Sequence, residues 1–364
     1  MHIPLFQQTL YRWYEANKRV LPWRETQDPY KIWLSEIILQ QTRVAQGIDY
    51  YLRFIDRFPT VQDLAAADED EVLLLWQGLG YYSRARNLHK AAKKIVESVE
   101  CRVLSPKGHD RQSRMESSIE CRVESYWFPK TFEELRQLPG VGDYTAGAIA
   151  SFAYNLPYVA MDGNVYRVLA RLFDDDTVFD TEQGKKHFHA LDETLLDTAN
   201  PRLFNSAIME FGALYCTPQN PDCEHCDLRR FCLGYAHHTA EVLPLRKVKK
   251  ALKDRYLHYT IYIDKECCTL IHQRMEKDIW QHLWEFALIE DNSQLSTLNY
   301  STLSTLHSQL YTHTLSHQRI HALFEVCRCN ELPAIDGMVK VRWQELENYA
   351  FSRLTLRALA DFRL

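Results

Sequence analysis

No stretch of this 364-residue chain stays apolar for the ~20 residues that a membrane-spanning helix needs. The N-terminus, MHIPLFQQTLYRWYEANKR, breaks every apolar stretch with polar or charged side chains, so it does not read as a signal peptide. These absences predict a cytoplasmic protein. A surplus of positive charge is missing too: 43 Lys and Arg stand against 48 Asp and Glu, a net charge of -5. Taken over the whole chain, that balance argues against a nucleic-acid binder. A composition of 46% hydrophobic and 25% charged residues excludes a disordered tail and a collagen-like chain. Ten cysteines are too dilute for a disulfide scaffold. In a reducing compartment, those that cluster suggest metal binding or catalysis. The length predicts two or three domains.

What is present divides the chain. Residues 1–235 read as helix after helix, with Leu5, Leu10, Trp13 and Tyr14 at helical spacing, a second helix over 31–46 and a third over 61–77. Gly78, Gly80, Gly140 and Gly142 mark turns. Residues 241–256 carry six Lys and Arg against two acids, the signature of a basic linker, placed at 236–255. Beyond it HYTIYID alternates as a strand does, and strand-like runs follow at 268–273, 285–290 and 320–326. The expected architecture is a mainly α N-terminal domain, 1–235, and an α+β C-terminal domain, 256–364. Ser98–Val103 (SVECRV) recurs as Ser118–Val123 (SIECRV), with a polar, aperiodic stretch between. That pattern marks an inserted loop at about 100–127, on which Cys101 and Cys121 ride.

Cys216, Cys223, Cys226 and Cys232 are spaced C-x6-C-x2-C-x5-C. Zinc sites usually pair two CxxC hooks across a longer loop, whereas a compact run of four thiols fits a [4Fe–4S] cluster. Zinc, or chance enrichment with disulfides, stands as the alternative. Cys267, Cys268, Cys327 and Cys329 fall in the strand-rich part and read as small buried hydrophobes.

Leu138-Pro-Gly140-Val-Gly142 allows a tight backbone turn into a new helix, whose first N–H groups would suit a phosphate. An ordinary helix–helix turn would look the same. Asp162 precedes the next helical run and could cap it. On the 31–46 helix, Leu34, Ile37, Ile38 and Ala45 form an apolar stripe, with Glu36, Gln40 and Arg43 on another face. A carboxylate beside an apolar stripe tends towards a raised pKa, as a general acid requires. Periodicity alone equally accommodates a solvated glutamate.

The cysteine run, the LPGVG hairpin and the aspartate after it together resemble the helix-hairpin-helix DNA glycosylases of the endonuclease III type. Leu21-Pro-Trp-Arg24, followed by Asp28 to Thr42 (DPYKIWLSEIILQQT), is similar to the adenine DNA glycosylases of the MutY family. The resemblance covers about 1–100 and 128–235, and 256–364 more weakly. It implies a six-helix barrel with an iron–sulfur subdomain, in which Cys216, Cys223, Cys226 and Cys232 hold a [4Fe–4S] cluster. It also implies that Glu36 protonates adenine and later handles water, while Asp162 stabilises the positive charge on the sugar, with Tyr144 and Asn164 assisting. Arg24 and Glu210 match positions that line the adenine pocket. Gln41 and Tyr82 match residues that wedge into the duplex, and Leu138, Gly140 and Gly142 the hairpin that meets its backbone. Tyr144 stands where bifunctional relatives carry the Schiff-base lysine, which implies a monofunctional enzyme that uses water.

The C-terminal stretch resembles Nudix hydrolases, with Trp280–Phe286 (WQHLWEF) at their usual start. It lacks the glycine, arginine and Glu-Glu spacing that holds catalytic Mg²⁺. The resemblance therefore implies a domain that reads 8-oxoguanine and does not hydrolyse a nucleotide. The family's Phe-Ser-His loop corresponds to Leu315-Ser316-His317, with leucine in place of phenylalanine. Ser316 and His317 would hydrogen-bond the lesion and a nearby phosphate. The implied whole is a monomeric, nucleoid-associated enzyme of bacterial type. It would remove adenine mispaired with 8-oxoguanine or guanine in double-stranded DNA during base excision repair. DNA contact would then rest on local features, the hairpin amides, Arg229-Arg230 and the basic linker, which the net charge averages away.

One rival is an endonuclease III-like lyase acting on oxidised pyrimidines; Tyr144 and the extra domain speak against it. Another is a non-enzymatic iron–sulfur protein that binds DNA or transfers electrons; it has no need of Glu36 and Asp162. Deleting about 103–122 is expected to leave folding and activity largely intact. A deletion variant that fails to fold would show that the segment is not a passive insert.

Overall fold

The computed structural model describes residues 1–103, 128–248, 251–289 and 304–362. Of the loop expected at about 100–127, residues 100–103, with Cys101, end the helix Ser83–Val103, and 104–127, with Cys121, lie outside the described residues. The chain divides into two compact units. One comprises Met1–Ala66 and Lys90–Val248, the other Ala67–His89 and Lys249–Leu364.

The first unit is helical. The Asp28 side chain accepts the Tyr30 N–H, and Pro29 starts the helix Pro29–Leu39. Thr131 and Glu134 form a reciprocal capping box on Phe132–Arg136. Gly142 begins Asp143–Tyr154, and Asp162 begins Gly163–Phe173. The core joins Phe6, Leu10 and Trp13 of the helix Ile3–Asn17 to Leu169, Phe204 and Phe211. The helix expected over 31–46 is broken. It ends at Leu39 and resumes as Val44–Arg57, with Gln41 left-handed at φ 54°. Gln40 and Arg43 therefore do not continue the face of Glu36, and Ala45 is exposed instead of core. The helix expected over 61–77 likewise splits into Val61–Ala66 and Glu69–Trp76.

This unit runs past residue 235. The Arg171 Nε–H donates to the Leu243 carbonyl at 3.1 Å, and the Lys247 N–H to Asp180 Oδ1 at 2.9 Å. The first half of the stretch read as a linker is therefore packed against helices.

The second unit is built on β1 (Lys253–Ile263), β2 (Cys268–Gln273), β3 (Trp284–Glu285), β4 (Ala287–Ile289), β5 (Ser304–Thr314), β6 (Gln318–Arg328) and β7 (Val339–Arg342). One sheet has the order β4-β1-β6-β5 and the other β3-β2-β7. β1 and β6 run parallel from Lys253↔Gln318 to Ile263↔Arg328, with Tyr259 stacked on Phe324 at 4.6 Å. The remaining pairings are antiparallel. Strand-like sequence at 258–264 and 320–326 falls in this parallel pair, 268–273 is β2, and 285–290 is divided between β3 and β4. Of the cysteines read as core, Cys268 and Cys327 are buried. Cys267 is exposed, because it occupies a left-handed position (φ 56°) in the turn before β2. No helix among the described residues is long and apolar enough to cross a membrane.

One buried group opposes the fold. Asp192, on the helix Glu182–Leu195, is fully buried, and neither carboxyl oxygen has a hydrogen-bond partner among the described residues. Burial, with Asp162 and Glu193 nearby, pushes its pKa up to about 8. An unfolded aspartate titrates near ~3.9. A raised folded pKa means that stability present below ~4 is lost progressively as the pH rises towards about 8. Asp192→Asn is therefore expected to gain on wild type across this interval, by on the order of 1–3 kcal/mol at its upper end. Urea denaturation at several pH values checks this, and a pH-independent difference would refute it.

Candidate active site and cysteine centre

The helix Pro29–Leu39 is apolar on nearly every side, with Tyr30 and Ile32 to Ile38 all buried. Glu36 is carried into the interior by its neighbours and is only 7% exposed. Tyr144, at the second position of the helix Asp143–Tyr154, donates its hydroxyl to Glu36 Oε2 at 2.8 Å. Burial raises the Glu36 pKa to about 7, with the Asp162 charge in support. The Tyr144 hydrogen bond and the Arg24 charge pull it partly back. Burial and the two facing carboxylates hold the Tyr144 phenol well above its usual value.

Asp162 caps the helix Gly163–Phe173, its Oδ1 accepting the N–H groups of Asn164 (2.8 Å) and Val165 (2.9 Å). Its other oxygen accepts the Asn164 side-chain amide at 2.7 Å. Burial nevertheless outweighs these three donors and leaves its pKa raised. Arg167 fixes the orientation of the Asn164 amide by donating to its Oδ1 at 2.9 Å, and it also donates to the carbonyls of Cys216 (2.8 Å) and Gly212 (2.7 Å). A Cβ on Gly212 would lie 2.8 Å from the Asn164 Cβ, so the close approach of the two helices here requires glycine.

Glu210 is fully buried on the helix Pro201–Leu214. Arg19 reaches it three times, through its backbone N–H (2.9 Å), Nε (2.8 Å) and Nη2 (2.6 Å), and Arg24 Nη2 donates at 2.8 Å. Burial alone would raise the Glu210 pKa. The two guanidiniums outweigh it and hold the carboxylate at about 2. Arg24, Glu36, Tyr144, Asp162, Asn164 and Glu210 thus line one cavity of about 860 Å³, with Gln41 and Gly142 at its wall. Arg19 lines it too and was missed; in the sequence it is one arginine among many, with nothing to mark its partner.

In the hairpin, Leu138 is buried and anchors the turn, Gly140 adopts φ 77°, and exposed Gly142 precedes the helix Asp143–Tyr154. Asp143 is paired with Arg136. Tyr82, expected as a wedge, is 2% exposed, and its hydroxyl donates to the Phe351 carbonyl at 3.1 Å. Its neighbour Tyr81, at φ 50°, is 42% exposed. In a turn of successive left-handed residues the side-chain phase shifts by one position, which the motif cannot show. Ser316 and His317 sit exposed in the β5–β6 hairpin, with the Leu315 N–H closing onto the Gln318 carbonyl at 2.8 Å.

Cys216, Cys223, Cys226 and Cys232 line a second cavity beside Arg171, and none forms a disulfide. Arg171 Nη1 donates to Cys216 Sγ at 3.3 Å, and Cys232 Sγ contacts the Arg171 carbonyl at 3.3 Å. Burial pushes the Cys226 thiol up to about 12. Four half-buried thiols around one cavity form a soft-metal donor set. Sulfurs on a single zinc lie about 3.8 Å apart, from the ~2.3 Å Zn–S bond. Among the described residues, the one group of three or more potential ligand atoms all within 4.8 Å of one another is Asp264, Glu266 and Cys268. The four thiols are spread more widely, so they fit a multinuclear group better than a single ion.

The Arg19–Glu210 pairing gives a direct test. Arg19→Met leaves the buried carboxylate with Arg24 and the backbone N–H of residue 19, and is expected to cost on the order of 1–3 kcal/mol in urea denaturation. Arg19→Lys, which keeps the charge without the fork, should fall between. An unchanged midpoint in Arg19→Met would show that the pair does not hold the carboxylate.

The family model described as "HhH-GPD superfamily base excision DNA repair protein" matches residues 34–191, and a NUDIX domain model matches 258–361. Adenine DNA glycosylase of Rattus norvegicus is 42% identical over 242 residues, covering 64% of this chain and 42% of that protein. Two proteins of the same name from Buchnera aphidicola align more fully. The one from subspecies Schizaphis graminum is 32% identical over 331 residues, covering 89% of this chain and 87% of its own. The one from subspecies Baizongia pistaciae is 31% identical over 349 residues, covering 94% and 92%. The chain thus spans under half the length of the mammalian relative and most of the bacterial ones. Among solved structures, a thermostable thymine-DNA glycosylase is 25% identical with a TM-score of 0.54, covering 65% of this chain and 97% of its own. An endonuclease III from a non-covalent DNA complex, 19% identical with a TM-score of 0.50 and covering 65% and 98%, shares the fold. With the buried carboxyl, the capping aspartate and the hairpin arranged as above, and with relatives matching along nearly its whole length, this chain belongs to the adenine DNA glycosylase family.

Proposed function

We propose that the protein is a monofunctional DNA glycosylase that hydrolyses the N-glycosidic bond of adenine mispaired with 8-oxoguanine or guanine in duplex DNA. The observation that carries this reading is the Glu36 carboxyl, buried, hydrogen-bonded by Tyr144 and held near neutrality at about 7. A carboxylic acid that keeps its proton at neutral pH can give it to a purine nitrogen and so make the base a leaving group. As the bond from C1′ to N9 breaks, its electron pair goes to the protonated base, and positive charge develops on the sugar. Asp162, oriented by Asn164 and the helix it caps, faces that charge. Water then adds to C1′ and its proton returns to Glu36. Glu210, ionised and therefore only an acceptor, suits an exocyclic amine, with Arg24 beside it. Tyr144 offers no amine, so no Schiff base forms at its position.

A [4Fe–4S] cluster would be held by Cys216, Cys223, Cys226 and Cys232 and would tie together the 216–232 loop, which packs beside Arg171 of the helix Gly163–Phe173. The duplex would meet the amide end of the helix Asp143–Tyr154, with Gln41 and an aromatic from the 77–82 turn entering as the adenine leaves the stack. Ser316 and His317 would hydrogen-bond the opposite lesion. This reading has the protein act as a monomer on nucleoid DNA in the cytoplasm.

Single-turnover adenine release from a duplex with adenine opposite 8-oxoguanine tests the proposal. Glu36→Gln is expected to slow release by about 10²–10⁴-fold. A variant as fast as wild type would remove the assignment. Because Glu36 must carry its proton, the wild-type rate should fall as the pH rises above about 7. Tyr144 stabilises the ionised form, so Tyr144→Phe should move this alkaline limb to higher pH, whatever it does to the maximum rate. A limb that stays in place or moves down would contradict the role given to Tyr144. Robust covalent trapping on DNA with borohydride would instead favour a lyase.

A further inference from the structure

The Gln77–Tyr82 turn is held in a conformation that its residues would not choose. Gly78 (φ 96°) and Gly80 (φ 75°) tolerate it, but Tyr81 at φ 50° lies in the left-handed region that bulky side chains avoid. Such a residue persists where its surroundings over-determine the backbone. Here the Trp76 indole and Arg84 both donate to the Gly80 carbonyl at 3.1 Å. A further restraint is a pair of opposed hydrogen bonds to one distant residue. The Phe351 N–H donates to Gln77 Oε1 at 3.0 Å, and the Tyr82 hydroxyl donates to the Phe351 carbonyl at 3.1 Å while accepting the Gly78 N–H at 3.4 Å.

Phe351 is itself fixed. Its ring is 1% exposed and stacks on Phe286 at 5.6 Å, and its backbone bridges to Trp284 beside the bond from the Trp284 N–H to the Ala350 carbonyl (2.8 Å). The result is that Tyr82 points into the unit and Tyr81 out of it.

We propose that Gln77 and Tyr82 are positioning residues, a latch through which the Phe351 backbone holds Tyr81 outward for contact with duplex DNA. This rests on the DNA-repair function proposed above. It places the control of an aromatic from the N-terminal sequence in the C-terminal part of the chain.

The test uses the full chain and a duplex with adenine opposite 8-oxoguanine, read both by duplex affinity and by single-turnover rate at saturating enzyme. Tyr82→Phe, which loses only the hydroxyl, and Gln77→Ala are each expected to weaken duplex binding about tenfold, with the saturated rate changed less. Gln77→Glu keeps an acceptor oxygen and should bind close to wild type. In a Tyr81→Ala background, neither Tyr82→Phe nor Gln77→Ala should weaken binding further. Tyr82→Phe and Gln77→Ala binding as tightly as wild type would overturn the latch. Equal losses with and without Tyr81 would overturn it too, because they would mark a role in stability alone. Should Tyr82→Phe fail to fold, the contrast between Gln77→Ala and Gln77→Glu decides. A wild-type protein that binds the duplex but releases no adenine overturns the proposed function, whereas the binding contrasts still judge the latch.

Discussion

Two buried carboxyl groups stand in one cavity, and the rest of the site follows from how differently they are compensated. Desolvation penalises the charged form of both. Glu210 receives four donors from Arg19 and Arg24 and stays ionised at about 2. Glu36 receives one neutral phenol and a distant arginine charge, faces Asp162, and sits at about 7. The difference amounts to a handful of hydrogen bonds, yet it makes one group a fixed acceptor and the other a proton donor at neutral pH. Chemistry of this kind needs the Pro29–Leu39 helix apolar on nearly every side, for a solvated Glu36 would titrate as an ordinary glutamate.

The helix Gly163–Phe173 joins that chemistry to the cysteine loop. Its cap, Asp162, faces the cavity, and Asn164, the second residue of the helix, holds the free oxygen of the cap. Arg167 and Arg171, one and two turns further, reach Cys216 and its neighbours. The relay from the Cys216 carbonyl through Arg167 and Asn164 to Asp162 is continuous, each link between 2.7 and 2.9 Å. Displacing the loop would remove one of the two carbonyls that hold Arg167, the Gly212 carbonyl being the other, and so loosen the donor that orients the Asn164 amide. This explains in physical terms why a cysteine centre remote from the reacting atoms belongs to the same unit as the cavity. Arg167 and Arg171 are both buried, so neither could lose its carbonyl partners without cost.

Much of this was legible in the chain because the signals were local. The cysteine spacing, the LPGVG turn and the aspartate before a helix each lie within a few residues, and their geometry follows from helix caps and glycine turns. What escaped the sequence was set by tertiary contacts. Hydrophobic periodicity ran through Gln40 without showing that the helix stops there to place Gln41 left-handed at the cavity wall. Arg19 carried no mark of its partner Glu210, 191 residues away. The adjacent tyrosines are chemically the same, and the choice between Tyr81 and Tyr82 depends on the Phe351 backbone. A linear motif cannot encode that choice. The break between units was likewise invisible, since 67–89 lies in helical sequence but packs with strands.

That packing bears on the net charge of -5, which seemed to argue against a nucleic-acid partner. A protein that meets a duplex through backbone amides, an inserted side chain and a hairpin needs few cations, and it spends little affinity on sequence-independent phosphate contact. Asp143, at the start of the hairpin helix, is already paired with Arg136, so even there the local charge is close to neutral. Selectivity in such a design has to come from shape and from the energy of extracting a base. Both depend on side chains held in one orientation before the duplex arrives, because ordering them afterwards would subtract from binding. On the function proposed above, the left-handed backbone at Tyr81, restrained by the hydrogen bonds to Gly80 and Phe351, would be the form that such preorganisation takes.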